Sequence, residues 1–246
     1  MTAKVPTAHD LLRRAGKATG VTRRQEYSAA TKNALVEVAR QRFATQGYAG
    51  SSLDEIVAGA QVTKGALYHH FRGKQELFEA AFLDVEAAAS ARIRAAIETS
   101  DDPWERAITG LREFLAVTRT EDYRRIVIQE GPAVLGYERF REHEERSTFG
   151  LVQDVVGSLL APYDLPASTL QAFTRLFFGA MSATGSAVST AEDPQQASDD
   201  AEGAIVLVLA GIRSLVQSNV DHLPRAEELA PGLSDAATGS SSRRRR

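Results

Sequence analysis

Apolar residues recur along this chain at intervals of three and four, and no segment alternates with period two between hairpin turns. That pattern predicts an all-α protein. A first helix is expected over about residues 28–46, with Leu35, Val38, Ala39, Arg42 and Phe43 on its buried side, Gly47 as a left-handed stop and Tyr48 packing back. Leu53, Ile56, Val57 and Ala60 then follow at i, i+3, i+4 and i+7, the stripe of one short helix. Ser52 and Glu55 fit the S-x-x-E capping box at its start, and Gly59-Ala60-Gln61 reads as the turn that ends it. Thr63 is the expected N-cap of a third helix, with Ala66, Leu67 and Phe71 inward and Lys64, Gly65, Tyr68 and His69 outward. A fourth helix starts near Lys74 and runs through Leu77, Phe78, Ala81, Phe82 and Val85 to about residue 98, too long to serve a three-helix unit alone.

Asp101-Asp102-Pro103 marks the next start, for a helix to about residue 119 that buries Ile108, Leu111 and Leu115. A short helix over 123–129 is broken by Gly131-Pro132, and one long helix is expected over about 137–160. Pro162 and Pro166 bracket a loop before two long helices, about 167–189 and 196–219. After residue 223 the chain turns polar and low in complexity and is expected to be disordered.

Two short helices with a small-residue turn, the second carrying a basic and aromatic outer face, make a helix-turn-helix whose second helix enters a DNA major groove. Charge segregation agrees. Residues 1–74 hold 12 Lys and Arg against 5 Asp and Glu, residues 75–238 hold 13 against 27, and residues 243–246 are all Arg, for a net charge of −3. A basic module on an acidic body is expected where only the first part meets a polyanion. Lys74 opposes the dipole of its own helix start, a placement that suits an opposing phosphate. Residues 1–26 show no hydrophobic period and read as a basic flexible arm, with Arg23 and Arg24 placed to reach the adjacent minor groove.

The run LVEVARQRFATQGYAGSSLDEIVAGAQVTKGALYHHFRGKQELFEAAF, within residues 31–83, resembles the DNA-binding domain of the TetR family of bacterial transcriptional regulators. The later helices are similar to that family only in number and character. The resemblance implies a helix-turn-helix DNA-binding domain over 27–74, a linking fourth helix over 74–98, a ligand-binding and dimerisation domain over 99–223, and a tail over 224–246. It implies a double-stranded operator as partner, a homodimer, and a small-molecule effector held by the helices after the fourth. Thr63, Lys64, Gly65 and Ala66 lie at the end of the third helix that would face base edges, Lys64 being the best donor to guanine O6 and N7. Ser52, Tyr68, His69 and Lys74 match the family's phosphate-holding positions. Trp104, Phe114, Tyr123, Gln129, Tyr137, Phe140 and Phe173 are the expected cavity residues, and Phe177, Phe178, Met181, Val208, Ile212 and Leu215 the expected dimer interface, where apolar and small residues alternate on the last two helices. Release by a ligand that prefers splayed DNA domains, transmitted by the fourth helix, is what the family implies.

Other functions find no motif. H-E-E-R at His143 lacks the second histidine of a zinc-protease helix, and no P-loop, G-x-G-x-x-G or G-x-S-x-G is present, so no catalytic residue, metal site or cofactor is expected. Glu138, Glu142, Glu144 and Glu145 read as a solvated face. The absence of cysteine, of an 18-residue apolar run and of an N-terminal apolar h-region is expected for a cytoplasmic protein without disulfides or membrane spans. A protein of this fold that binds ligands or partners without reading DNA is the alternative, and repression and activation are not distinguished at this point.

Overall fold

The computed structural model describes residues 23–163 and 165–217, and every regular element among them is helical. Helix α1 (Arg23–Gly50) begins before the hydrophobic period does, so Arg23 and Arg24 stand at the head of a helix rather than on a free arm. Its first turns are polar, with Glu26 suiting the positive end of the dipole, and polar turns carry no period to read. The rest of the expected arm, residues 1–22, and the expected tail lie outside the described residues.

Helices α2 (Leu53–Ala60) and α3 (Lys64–His70) form the helix-turn-helix, and α4 (Lys74–Ile97) rises from it into the rest of the molecule. The predicted turn shifts by two residues. Gly59 and Ala60 stay helical and Gln61 takes the left-handed cap at φ 56. Gly59 serves helix packing instead, since a Cβ there would come within 2.8 Å of Val38 Cγ1. Leu35, Phe43, Ile56, Leu67, Phe78 and Phe82 fill the core of this head. Arg42, expected inward, is only partly buried and turns toward Glu55 at 3.9 Å.

Behind the head lie α5 (Pro103–Thr118), the π-helical α6 (Tyr123–Glu130), α7 (Gly131–Leu135), α8 (Tyr137–Ser147), α9 (Phe149–Leu160), α10 (Ala167–Thr190) and α11 (Pro194–Gln217). Asp102 caps α5 as expected, accepting from the N–H groups of Trp104 and Glu105. The long helix expected over 137–160 is two helices, broken at Thr148 (φ −116, ψ −22). Hydroxyls cluster at the break: Thr148 Oγ1 back-bonds to the Glu144 carbonyl, which favours a bend, and Ser147 Oγ donates across the fold to the Glu86 carboxylate of α4.

The head and body share one apolar cluster, in which Val117, Tyr123, Ile126, Val127 and Leu135 pack with Phe43 and Phe82. At its edge α1 bends at Gly47, whose φ 75 and ψ 171 are open essentially to glycine alone. A Cβ there would also run into Arg125 and Glu130 of α6. Just beyond the bend the Tyr48 N–H donates to Glu130 Oε2 at 2.7 Å. Gly47→Ala is therefore expected to cost about 1–3 kcal/mol of stability through backbone strain and collision. Urea denaturation measures it, and an unchanged midpoint would show that the bend relaxes freely.

Candidate nucleic-acid interface and buried cavity

The outer face of the head is assembled by caps. Ser52 Oγ accepts from the Glu55 N–H at 3.2 Å while Glu55 Oε2 accepts from the Ser52 N–H at 3.3 Å, closing the capping box of α2. Thr63 Oγ1 accepts from the Ala66 N–H at 3.1 Å and fixes the start of α3. From that start Lys64, Gly65, Tyr68 and His69 face solvent, Tyr68 being 60% exposed, while Leu67 and Phe71 are buried and Ala66 is partly so. A Cβ on Gly65 would meet nothing nearer than 3.8 Å, so the residue keeps the surface low rather than relieving the backbone.

Two lysines are less free than their positions suggest. Lys64 Nζ lies 2.8 Å from Asp54 Oδ1 of α2, and that hydrogen bond holds its ammonium above the ordinary lysine range. Lys74 Nζ sits 4.5 Å from the centroid of Tyr48, a cation–π contact that offsets its adverse place in the helix dipole. His69 and His70 stack edge to face with centroids 5.1 Å apart. Partial burial, with help from His69 and Lys32, pushes the His70 imidazole below its ordinary value, so His69 is the outward member of the pair.

A cavity of about 270 Å³ lies in the body between α4, α5, α6 and the later helices. Phe114, Tyr123 and Phe140 line it as expected. The other four expected residues do not. Trp104 packs against Ala107, Leu159 and Leu209 with the Arg213 guanidinium over its ring at 5.7 Å. The Gln129 amide is exposed and reaches the Ser189 carbonyl, Phe173 lies outside the lining, and Tyr137 borders an outer groove on the far side of the α8 wall. Phe177, Phe178 and Met181, expected at a dimer interface, turn inward and line the cavity.

The outward faces of α10 and α11 carry different residues. Leu176 is 66% exposed, Leu207 74% and Val208 54%, while Ile212 is half-buried. The Leu215 side chain lies outside the described residues. Around the exposed leucines, Ala172, Gly179, Ala180, Ala183, Ala204 and Gly211 are exposed and small.

The site residue that sequence reasoning missed is Glu144. It lies in the cavity lining, half-buried, with Ser182 Oγ donating to its Oε1 at 3.0 Å, and burial raises its carboxyl above the usual range. A second carboxyl stands behind it. Glu86 of α4 is 2% exposed, accepts from Ser147 Oγ at 2.5 Å through Oε2, leaves Oε1 without a partner, and is pushed up by burial to about 7. Also missed were the polar ties of α6 to the head: Arg40 of α1 bonds Asp122 at 2.8 Å as well as its neighbour Glu37, and Glu130 holds the bend at Gly47. Among the described residues no group of acidic and histidine side chains could hold a metal ion, and no helix is long and apolar enough to cross a membrane.

The family model described as "Bacterial regulatory proteins, tetR family" matches residues 35–81, and that described as "Tetracyclin repressor-like, C-terminal domain" matches residues 104–212. The Transposon Tn10 TetC protein of Escherichia coli is 29% identical over 58% of this chain and 72% of its own. The probable acrEF/envCD operon repressor of Escherichia coli (strain K12) is 26% identical over 52% of this chain, which spans only 56% of that protein. Among solved structures, a TetR-family transcriptional regulator from Pectobacterium atrosepticum is 28% identical with TM-score 0.67, covering 78% of this chain and 97% of its own. The two matched spans fall on the capped head and on the cavity-bearing body, and with these relatives they settle the matter: the chain belongs to the TetR family of DNA-binding transcriptional regulators.

Proposed function

We propose that the protein is a homodimeric repressor that acts in the cytoplasm and leaves its operator when a small molecule fills the cavity. The observation that carries this reading is the joint placement of a solvent-facing, capped recognition helix and a largely apolar cavity toward opposite ends of one continuous helix, α4. The similarity to the probable acrEF/envCD operon repressor supports repression over activation.

On DNA, the start of α3 enters the major groove and Lys64 exchanges Asp54 for guanine O6 and N7. Thr63, Gly65 and Ala66 keep the approach close, and the Ala66 methyl is placed for a thymine methyl. Ser52, Tyr68, His69 and Lys74 hold phosphates and set register. Arg23 and Arg24, at the head of α1, supply charge beside the groove. The exposed apolar stripes of α10 and α11 meet their copies in a second protomer, giving two recognition helices for half-sites ~34–36 Å apart.

Release has a physical route in α6. Its Tyr123, Val127 and Ile128 line the cavity, while its Asp122 and Glu130 hold α1 of the head. A ligand that prefers one arrangement of α6 and α4 lowers DNA affinity by the ratio of its affinities for the two states. Lys64→Ala is expected to weaken cognate operator binding by about 10- to 100-fold and to relax preference at one base pair, whereas Lys74→Ala weakens all sequences alike. Anisotropy titrations on cognate and scrambled duplexes check the contrast, and identical losses would remove Lys64 from base readout.

Sequencing the fragments of sheared genomic DNA retained by the purified protein tests the function as a whole. A recovered palindrome supports the dimeric operator reader. Failure to retain DNA even at low salt would favour the alternative, a binding module of this fold that does not read DNA.

A further inference from the structure

The cavity has a charge signature. Of its described lining side chains only Glu144 is charged, and the polar remainder is the hydroxyls of Tyr123, Thr148, Ser182 and Ser186. Arg141 and Arg175 border the outer groove rather than the cavity: Arg141 pairs with Glu145 at 2.5 Å, its charge also reaching Glu144, and Arg175 lies over Phe149, both exposed. Behind the wall the buried Glu86 adds a second carboxyl, tied through Ser147 Oγ, which also approaches the Glu144 carbonyl at 3.3 Å. An anion entering this space would face two acids with no cation in the lining, an arrangement with a large desolvation cost. A wholly apolar ligand would seal the Glu144 carboxylate away from water with the Ser182 hydroxyl as a neutral partner and its charge uncompensated.

We propose that the cavity takes a lipophilic organic cation, an amine or quaternary ammonium, with its charged centre against Glu144 and its apolar body among Phe114, Phe140 and Phe178. Geometry and chemistry converge on this class. Glu144 borders both the cavity and the outer groove, so a cation meets it from outside before its body enters. Phe140 and Phe178 border both spaces as well, and aromatic faces beside an acid are the chemistry that recognises an ammonium once it is stripped of water. Ser182 holds the carboxylate in place without neutralising it. The assignment rests on the cavity being the effector site.

The test uses three probes of similar length on the intact protein by calorimetric titration: phenylbutyltrimethylammonium, its neutral isostere in which carbon replaces the nitrogen, and phenylhexanoate. The cation is expected to bind at least ~10-fold more tightly than its carbon isostere. Glu144→Gln is expected to abolish that preference, weakening the cation and easing entry of the isostere, which no longer buries a carboxylate. Equal binding of cation and isostere, or a preference that survives Glu144→Gln, overturns the charge assignment, as does tighter binding of phenylhexanoate, yet in each case the cavity remains a ligand site. Binding by none of the three overturns the effector site together with its charge. Because the comparison of probes is made first on the unaltered protein, the outcome does not depend on the variant folding.

Discussion

Leu207→Asp is expected to leave the protein monomeric and to weaken binding to a two-half-site operator by about 10²–10⁴-fold, the avidity that two linked reading heads confer. Leu207 is 74% exposed on α11, and Val208 beside it and Leu176 on α10 are more than half exposed. Leucine at that exposure stabilises nothing within one chain. With Ala204, Val208 and Gly211 it forms an i, i+3, i+4, i+7 stripe, small residues flanking large ones, which lets two helix pairs approach closely. Burying that stripe against a copy removes its apolar surface from water, and an aspartate there would be desolvated opposite its own symmetry mate. Within a monomer the same substitution touches solvent and should change stability by less than about 0.5 kcal/mol. Light scattering with size exclusion reads the mass, anisotropy reads operator affinity, and circular dichroism reads the fold. A variant that remains dimeric would place the interface elsewhere.

The head was legible because its signals are local. A capping box, a threonine cap and the inward residues Leu67 and Phe71 each depend on neighbours within four positions, and the structure has all of them. Gly47 was readable as an interruption of the first helix for the same reason, although it bends the helix at φ 75 and ψ 171 rather than ending it in a left-handed cap. What local signals do not contain is partnership across the fold. That Lys64 is held by Asp54, and that Lys74 rests on Tyr48, follows from α3 folding against α2 and α4 against α1, with ten residues separating the first pair. The π-helical turn of α6 likewise has no marker in its sequence beyond the Gly131-Pro132 that follows it.

In the body, helices were legible and their inward faces less so. Phe177, Phe178 and Met181 are apolar, and apolarity alone does not separate a cavity wall from a subunit interface. Glu144 shows a signal that was available. Phe140, His143, Glu144 and Ser147 fall at i, i+3, i+4 and i+7, and all four are at least partly buried, whereas Glu138, Glu142 and Glu145 are exposed. A charged residue in phase with Phe140 marks the inner stripe of α8. Counting four glutamates as one solvated face hid that phase.

The largest pH effect on stability should come from Glu86. Its carboxyl lies in the middle of α4 at 2% exposure, with one hydroxyl donor, one unpartnered oxygen and the Glu144 carboxyl nearby. Burial raises it from an ordinary 4.5 to about 7, so the folded protein holds the proton more tightly than the unfolded chain does. The stabilising contribution is then complete below about pH 4.5 and is lost as the pH rises through about 7, amounting to roughly 3 kcal/mol across that window. Glutamine keeps the shape of the neutral acid and cannot ionise. Glu86→Gln should therefore match the parent near pH 4.5 and exceed its stability by about 2–3 kcal/mol at pH 8.5, other groups cancelling in the difference. Urea denaturation of both proteins across that range decides it. Parallel stability curves would mean that Glu86 ionises in the folded state as easily as in water, by drawing a donor or a water molecule to its free oxygen, and the wall behind Glu144 would then carry full negative charge at neutral pH.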